Sequence, residues 1–193
     1  MSLKSNDQLL KYISPVFFET GTFLGGGVKA ALESGFQKVI TVELQEYLYS
    51  QCVTTLDEEI KQGRVEIHLG NSKELLPTLI KDVDERITFW LDAHIDGGNY
   101  VPGVTPNINP CPLYDELMSI KEHRRNDHII MIDDLRIIGN SERNGYGWGS
   151  NTNLETIKSL ILDINPDYEF TFEDGVEPND ILVAKIPNHE KKD

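Results

Sequence analysis

The chain alternates between short apolar runs and longer segments in which apolar residues recur at helical spacing. The apolar runs are rich in β-branched and aromatic residues and lack the polar alternation of half-exposed strands. Strands that are covered by helices on both faces lose that alternation, so we predict five buried parallel strands. These strands cover residues 15–19, 38–43, 64–69, 86–92 and 128–134.

The segments between these strands have amphipathic patterns with helix end signals. Gly35 and Gly63 follow two of the segments, where glycine commonly closes a helix. Thr152 and Glu155 have the spacing of a capping box, which predicts that the last helix begins at Thr152. The predicted helices cover residues 27–34, 45–60, 72–82, 112–123 and 152–164.

Near the end of the chain, strands no longer alternate with helices. Residues 168–172 and 180–186 are strand-like and are separated by a turn-rich stretch too short for a crossover helix, so they should pair antiparallel. The pattern therefore predicts an α/β sandwich with seven strands. Long irregular segments at 94–112 and 135–150 follow two parallel strands, where open α/β folds keep their sites.

Composition narrows the function classes. A chain of 193 residues is about one domain, so we treat residues 1–193 as a single domain. A formal charge of −14 opposes binding to nucleic acid or to an anionic membrane. With only Cys52 and Cys111 and no stretch apolar enough to span a bilayer, we expect a cytoplasmic protein.

A glycine-rich loop follows the first strand directly. The segment Thr20–Gly27 lets a ligand approach the backbone, and the helix that follows favours a negative group at its start. Residues 25–30 fit a dinucleotide fingerprint, but that fingerprint should begin immediately after the strand. Glu19 at the strand end would repel a pyrophosphate and suits a ligand with ammonium and sulfonium groups. The alternative is that these glycines only allow tight backbone turns and that the loop binds no ligand.

Two further polar residues end neighbouring strands. Glu43 lies where an acidic side chain can accept both hydroxyls of a ribose. Asn71 follows the third strand, and its amide can bond an adenine edge or cap the next helix. Both readings of Asn71 stay open.

These motifs resemble class I S-adenosylmethionine-dependent methyltransferases, in the form seen in macrocin-type sugar O-methyltransferases. The resemblance implies a Rossmann-like three-layer α/β/α sandwich whose mostly parallel sheet has the order 3-2-1-4-5-7-6, with strand 7 antiparallel. Phe23 is a departure, since many members have a second glycine there. The resemblance implies that S-adenosylmethionine is bound by Glu19, Thr20, Gly21, Thr22, Gly25, Glu43, Asn71, Ser72 and Asp92.

Acidic residues end the fourth and fifth predicted strands. If the family strand order holds, Asp92 meets Asp133 and Asp134 at one edge, and such a cluster suits Mg²⁺ or Mn²⁺. In macrocin-type enzymes acids at these positions hold a metal, so the resemblance implies Asp92, Asp133 and Asp134 as ligands. Consecutive strand residues point to opposite faces, so both Asp133 and Asp134 can bind only if the strand has ended. The alternative is that one of them caps a helix or binds cofactor.

The segment Asp92–Asp96 also resembles the D-x-H-x-D manganese motif of the arginase family. That family needs further Asp and His motifs and a much longer chain, so we set this reading aside. His94 is our candidate general base, with Asp92 and Asp133 as its catalytic partners. Aromatic residues in or beside the long segments can stack on an acceptor ring: Tyr100, Tyr114, Tyr146 and Trp148.

The sequence thus predicts an O-methyltransferase that uses S-adenosylmethionine, is assisted by Mg²⁺ or Mn²⁺, and has neither nucleic acid nor a membrane as its partner. Its acceptor is a hydroxyl of a sugar, a glycan or another small molecule. The alternative is a methyltransferase-like domain without catalysis, or an NAD(P)-binding Rossmann domain.

Overall fold

The computed structural model of the chain describes residues 6–94, 111–138 and 153–187. Their strands are β1 (Val16–Thr20), β2 (Lys38–Glu43), β3 (Val65–Leu69), β4 (Ile87–Leu91), β5 (Ile129–Ile132), β6 (Glu169–Glu173) and β7 (Ile181–Lys185). Each strand lies within a run that the apolar pattern identifies, apart from Thr20 and Glu173, which extend two of the runs by one residue.

The seven strands form one sheet in the order β3-β2-β1-β4-β5-β7-β6. The pairs among β1 to β5 are parallel, whereas β7 pairs antiparallel with both β5 and β6. The predicted fold class and strand order are therefore confirmed. Because the first five strands are parallel, their carboxyl ends meet at one edge of the sheet, and that edge receives the loops that follow them.

The helices are α1 (Gly26–Ser34), α2 (Glu46–Thr55), α3 (Asp57–Lys61), α4 (Ser72–Ile80), α5 (Leu113–Lys121) and α6 (Leu154–Ile164), preceded by a 3-10 helix over Asn6–Tyr12. The single helix predicted over 45–60 is two helices that meet at Leu56. Leu56 has a φ of −107°, outside the helical range, and its side chain is buried. Burial of that side chain accompanies the break.

Two apolar cores lie on the two faces of the sheet. On one face, β1 contributes Val16 and Phe18 to a core that includes buried side chains of α4, α5 and α6. On the other face, Phe17 joins side chains of the 3-10 helix, α1 and α2. Consecutive residues of β1 thus serve opposite layers, as the pleat requires. This alternation decides which layer each polar residue at the end of β1 faces.

The start of α6 differs from the predicted capping box. Asn153 is the N-cap residue, and its side chain accepts a hydrogen bond from the Thr156 N–H at 2.9 Å. The prediction of Thr152 as the cap is wrong because asparagine is at least as good a cap and stands one residue nearer the helix. Thr152 itself lies outside the described residues.

No helix in the described ranges is long and apolar enough to cross a bilayer.

Candidate functional site at the carboxyl edge of the sheet

The glycine loop folds back onto β2 through its backbone. The N–H groups of Gly21 and Thr22 both donate to the Val42 carbonyl, at 3.0 and 3.2 Å. Gly21 has a φ of +84°, and a Cβ there would lie 2.8 Å from the Asp92 carbonyl oxygen. Only glycine fits this contact, because the left-handed backbone and the close approach both exclude a side chain. The loop is thereby held against the segment that follows β4.

Phe23 and Gly25 complete the loop. Phe23 has a φ of +51°, in the left-handed region that glycine enters without strain. This explains why many family members can have glycine at that position, and the Phe23 side chain is exposed instead of buried. Gly25, also with positive φ, is the N-cap residue of α1 and donates its N–H to the Thr22 carbonyl at 2.9 Å.

Glu43 is tied to the loop by its carboxylate. One oxygen accepts the Phe23 N–H and the other accepts the Gln45 N–H, both at 2.8 Å. The side chain is buried, so Glu43 is not a solvated residue at the strand end. Burial raises the pKa of Glu43, and the two backbone donors act against that rise. Each oxygen keeps a second lone pair for a ligand hydroxyl.

Glu19 and Thr20 face opposite layers of the sandwich. The Thr41 hydroxyl donates to Glu19 at 2.9 Å, and it lies 2.7 Å from the Thr22 hydroxyl. Burial raises the pKa of Glu19 to about 8. Thr20 is buried on the other side of β1, and its hydroxyl accepts the Asp92 N–H at 3.3 Å. Glu19 thus contacts β2, whereas Thr20 contacts the segment that follows β4.

Asn71 and Ser72 stand between β3 and α4. The Asn71 side chain accepts the Lys73 N–H at 3.1 Å and caps α4. The helix-cap reading of Asn71 is therefore the one that the geometry shows. Ser72 is buried at the first position of α4.

His94 lies between two carboxylates beyond β4 and β5. Its Nε2 is 2.8 Å from an oxygen of Asp134, and its Nδ1 is 3.7 Å from an oxygen of Asp92. The other Asp134 oxygen contacts the Arg136 guanidinium, which also contacts Asp180. Although burial alone would raise it, His94 and Arg136 hold the pKa of Asp134 below its usual range.

Two groups of potential metal ligands overlap at Asp134. Asp92, His94 and Asp134 each offer a ligand atom within 4.8 Å of the others, as do Asp133, Asp134 and Asp180. β5 ends at Ile132, so Asp133 and Asp134 both lie beyond the strand. Among the residues that the structure describes, however, no such group contains both Asp92 and Asp133.

The sequence analysis missed three polar residues of this region. Arg136 and Asp180 meet only because β7 lies beside β5, which no local pattern indicates. Glu116 is a buried carboxyl on α5, whose position in an ordinary amphipathic helix gave no signal. The predicted positions Asp96, Tyr100, Tyr146 and Trp148 lie outside the described residues, whereas Tyr114 is on α5 and partly exposed.

Solved structures of methyltransferases have this architecture. A Staphylococcus aureus structure described as a putative caffeoyl-CoA O-methyltransferase is 13% identical with a TM-score of 0.60, over 94% of this chain and 80% of that one. The O-methyltransferase TomG from Streptomyces achromogenes, in complex with S-adenosylmethionine, is 16% identical with a TM-score of 0.58, over 95% of this chain and 78% of that one. A Podospora anserina methyltransferase bound to S-adenosylhomocysteine is 13% identical with a TM-score of 0.62, over 95% and 76% of the two chains.

The chain has the class I S-adenosylmethionine-dependent methyltransferase fold. No protein-family model and no curated protein sequence matches it. Within this fold, the glycine loop, Glu43 and the His94 cluster all lie at the carboxyl edge of the sheet, where open α/β sheets bind ligands.

Proposed function

We propose that the protein is an S-adenosylmethionine-dependent O-methyltransferase acting on a hydroxyl of a sugar, a glycan or another small molecule. The observation that carries this proposal is His94, held between Asp92 and Asp134 beside the loop of Gly21. This places a proton acceptor next to a loop of the type that binds this cofactor. The similar structures bound to S-adenosylmethionine or S-adenosylhomocysteine support the choice of cofactor.

The cofactor-binding residues in this proposal are those of the loop and of the neighbouring strand ends. Glu43 would accept the ribose hydroxyls, and the positive charge of the methionine part would lower the pKa of Glu19 from about 8, so that the two groups pair as ions. The same acids oppose a pyrophosphate, which disfavours the NAD(P)-binding alternative. Gly21, Thr22 and Gly25 shape the loop, and Thr20, Ser72 and Asp92 lie along its other side.

Methyl transfer from a sulfonium needs alignment and, for an alcohol, removal of a proton. His94 accepts that proton, and the carboxylate of Asp134 orients the imidazole and stabilises its charged form. Asp92 approaches the other ring nitrogen. These two contacts fix the ring at the edge where an acceptor must lie to reach the cofactor.

The same residues have the chemistry of a divalent-metal site. Asp92 and Asp134 each offer a carboxylate oxygen within 4.8 Å of the other, and carboxylate oxygen is the ligand type that Mg²⁺ and Mn²⁺ prefer. We propose Asp92 and Asp134 as ligands, with Asp133 from the resemblance as a third, so that His94 beside them keeps its role as the base. When bound, the ion would supply a Lewis acid that lowers the pKa of the acceptor hydroxyl.

The deciding experiment for the cofactor is calorimetric titration of the protein with S-adenosylhomocysteine and, separately, with NAD⁺. We expect binding of the first and none of the second. Transfer of a labelled methyl group is then measured on a panel of sugars, catechols and small hydroxy acids. Binding without transfer to any hydroxyl would favour the catalytically inactive alternative, and binding of NAD⁺ alone would refute the proposal.

The metal is tested on the same labelled assay. EDTA should suppress transfer, and Mn²⁺ or Mg²⁺ should restore it, whereas binding of S-adenosylhomocysteine should survive chelation. Binding of Mn²⁺ is measured independently by its electron paramagnetic resonance signal, in the wild type and in Asp92→Asn. Full activity in EDTA together with no bound Mn²⁺ would refute the metal assignment and leave His94 as the base.

A further inference from the structure

Glu116 is a buried carboxyl that the proposed reaction does not use. It lies in the first turn of α5, and only 1% of its surface is exposed. Its Oε1 atom has no hydrogen-bond partner among the described residues. A buried carboxyl oxygen without a partner costs more free energy than a paired one, whether the group is charged or neutral. The position therefore calls for a hydrogen-bonding partner from outside the described chain.

The surroundings of Glu116 place it at the cofactor edge. Burial raises the pKa of Glu116 to about 7, and side-chain hydrogen bonding from Ser72 and Thr20 opposes that rise. The neighbouring Asp115 and, to a lesser extent, Asp92 raise it further. Ser72 begins α4, Thr20 ends β1 and Asp92 follows β4, so Glu116 lies below the point where three carboxyl-end segments converge.

Each hydrogen-bond donor group of S-adenosylmethionine can be assigned to one acidic residue at the carboxyl edge of the sheet. Glu43, at the end of β2, serves the ribose hydroxyls, and Glu19 faces the Thr41 side of β1. Glu116 is on the opposite layer, beside the segment after β3. The other candidate there is Asn71, whose side-chain oxygen already accepts the Lys73 N–H as the cap of α4. The donor left for Glu116 is the 6-amino group of adenine.

We propose that Glu116 is a specificity-determining residue whose Oε1 accepts a hydrogen bond from the 6-amino group of the cofactor's adenine. The inference rests on the proposed function, because it assumes that S-adenosylmethionine is the ligand. It extends that function by naming the group that distinguishes adenine from other purines. A buried acceptor built for a donor rejects an analogue that lacks it, since the acceptor then stays unpaired.

The test uses two ligands on the intact protein. Calorimetric titration compares S-adenosylhomocysteine with the analogue that has purine in place of adenine and lacks only the 6-amino group. We expect the wild type to bind the analogue about 10- to 100-fold more weakly, the scale of one unmade hydrogen bond to a buried group. Equal affinities would overturn the inference without requiring any variant to fold.

Variants then assign the discrimination to one residue. Glu116→Leu has a side chain of similar size without an acceptor, and we expect the two ligands to bind it within about 3-fold of each other. Asp115→Asn removes a neighbouring carboxylate, which pairs with Lys73 at the surface, and should keep the wild-type ratio. Asn71→Gly keeps a tolerated cap residue and should keep the ratio too. Thermal unfolding confirms that each variant is folded.

The outcomes separate the inference from the function on which it rests. Loss of discrimination in Asn71→Gly but not in Glu116→Leu would assign the adenine amine to Asn71 and overturn the proposal. If both variants still bind S-adenosylhomocysteine more tightly than the purine analogue, the partner of Oε1 is a buried water and the proposal is overturned as well. No binding of S-adenosylhomocysteine by the wild type would instead refute the proposed function.

Discussion

At the residue scale, the buried acids of the carboxyl edge have structural as well as chemical roles. Glu43 connects the glycine loop to the start of α2 through two backbone N–H groups. A side chain with both roles cannot be removed without disturbing the fold. Substitutions at this edge must therefore be designed to separate binding from stability.

We predict that Glu43→Gln weakens binding of S-adenosylhomocysteine by about 10- to 100-fold, because a neutral amide replaces charge-assisted hydrogen bonds to the ribose. Glu43→Ala should also lower the free energy of unfolding by roughly 1–3 kcal/mol, since it leaves buried backbone donors unpaired. Calorimetry and denaturant unfolding measure the two effects. The exposed Glu46→Gln is the charge-matched control. Unchanged affinity in both Glu43 variants would remove Glu43 from the cofactor site.

His94 gives the second prediction at this scale. His94→Ala should reduce kcat by about 10²–10⁴-fold, the usual contribution of a general base, with little change in binding of S-adenosylhomocysteine. His68→Ala, on β3 away from the acid cluster, is the matched control and should keep its activity. A kcat within 3-fold of the wild type in His94→Ala would show that another group accepts the proton. Rescue by added imidazole would support the base role.

At the element scale, the sequence identified all seven described strands, most of them as buried apolar runs, whereas β6 alternates polar and apolar residues. It identified the helices less well where tertiary contacts decide their bounds. Leu56 interrupts the predicted 45–60 helix and is buried, and periodicity does not distinguish a continuous helix from two that share a face. The pairing of Arg136 with Asp180 was also beyond the sequence, because it joins segments 44 residues apart through the β5–β7 pair.

The contact between the glycine loop and the segment after β4 gives a prediction at the element scale. Gly21→Ala should destabilise the protein and weaken cofactor binding together, because its Cβ would overlap the Asp92 carbonyl and the residue has positive φ. Gly26→Ala, where a Cβ meets nothing within 4 Å, is the control. Thermal unfolding measures the stability of each variant, and calorimetry measures its affinity for S-adenosylhomocysteine. Equal stability of the two variants would contradict the prediction that Gly21 is required by its contact with Asp92.

At the scale of the whole molecule, a pair of buried histidines joins the amino ends of the strands. His128 accepts the Ile87 N–H on Nδ1 at 3.1 Å, and its Nε2 is 2.8 Å from Nδ1 of His123. Nε2 of His123 lies 3.0 Å from the Ile80 carbonyl. Two neutral rings, each with its proton on Nε2, satisfy every one of these contacts. Burial and the neighbouring His123 lower the pKa of His128 to about 3.

We predict that this pair makes the protein less stable in acid. The folded state resists protonation of His128 down to about pH 3, whereas the unfolded state accepts the proton near pH 6.5. The contribution is therefore fully present above pH 6.5 and is lost as the pH falls toward 3. Asp127 opposes the lowered pKa, and Arg125 and Arg86 reinforce it.

The measurement is denaturant unfolding from pH 4 to pH 7 in the wild type and in His128→Asn, whose amide oxygen can still accept the Ile87 N–H. We expect a smaller slope of unfolding free energy against pH in the variant. His68→Asn, at a partly buried histidine away from this pair, controls for the loss of one titrating group. Identical slopes in the wild type and His128→Asn would show that the pair does not govern acid stability.

The place of β7 in the sheet also bears on how the protein is made. Among the strands of the described residues, β7 is the last along the chain, yet it lies between β5 and β6 and is the strand with which β6 pairs. During synthesis, β6 leaves the ribosome before β7 but has no partner in the sheet until β7 follows. Asp180, which directly precedes β7, accepts the Arg136 N–H at 2.9 Å and contacts its guanidinium. The acid cluster beside His94 is therefore assembled only after nearly the whole described chain has been translated.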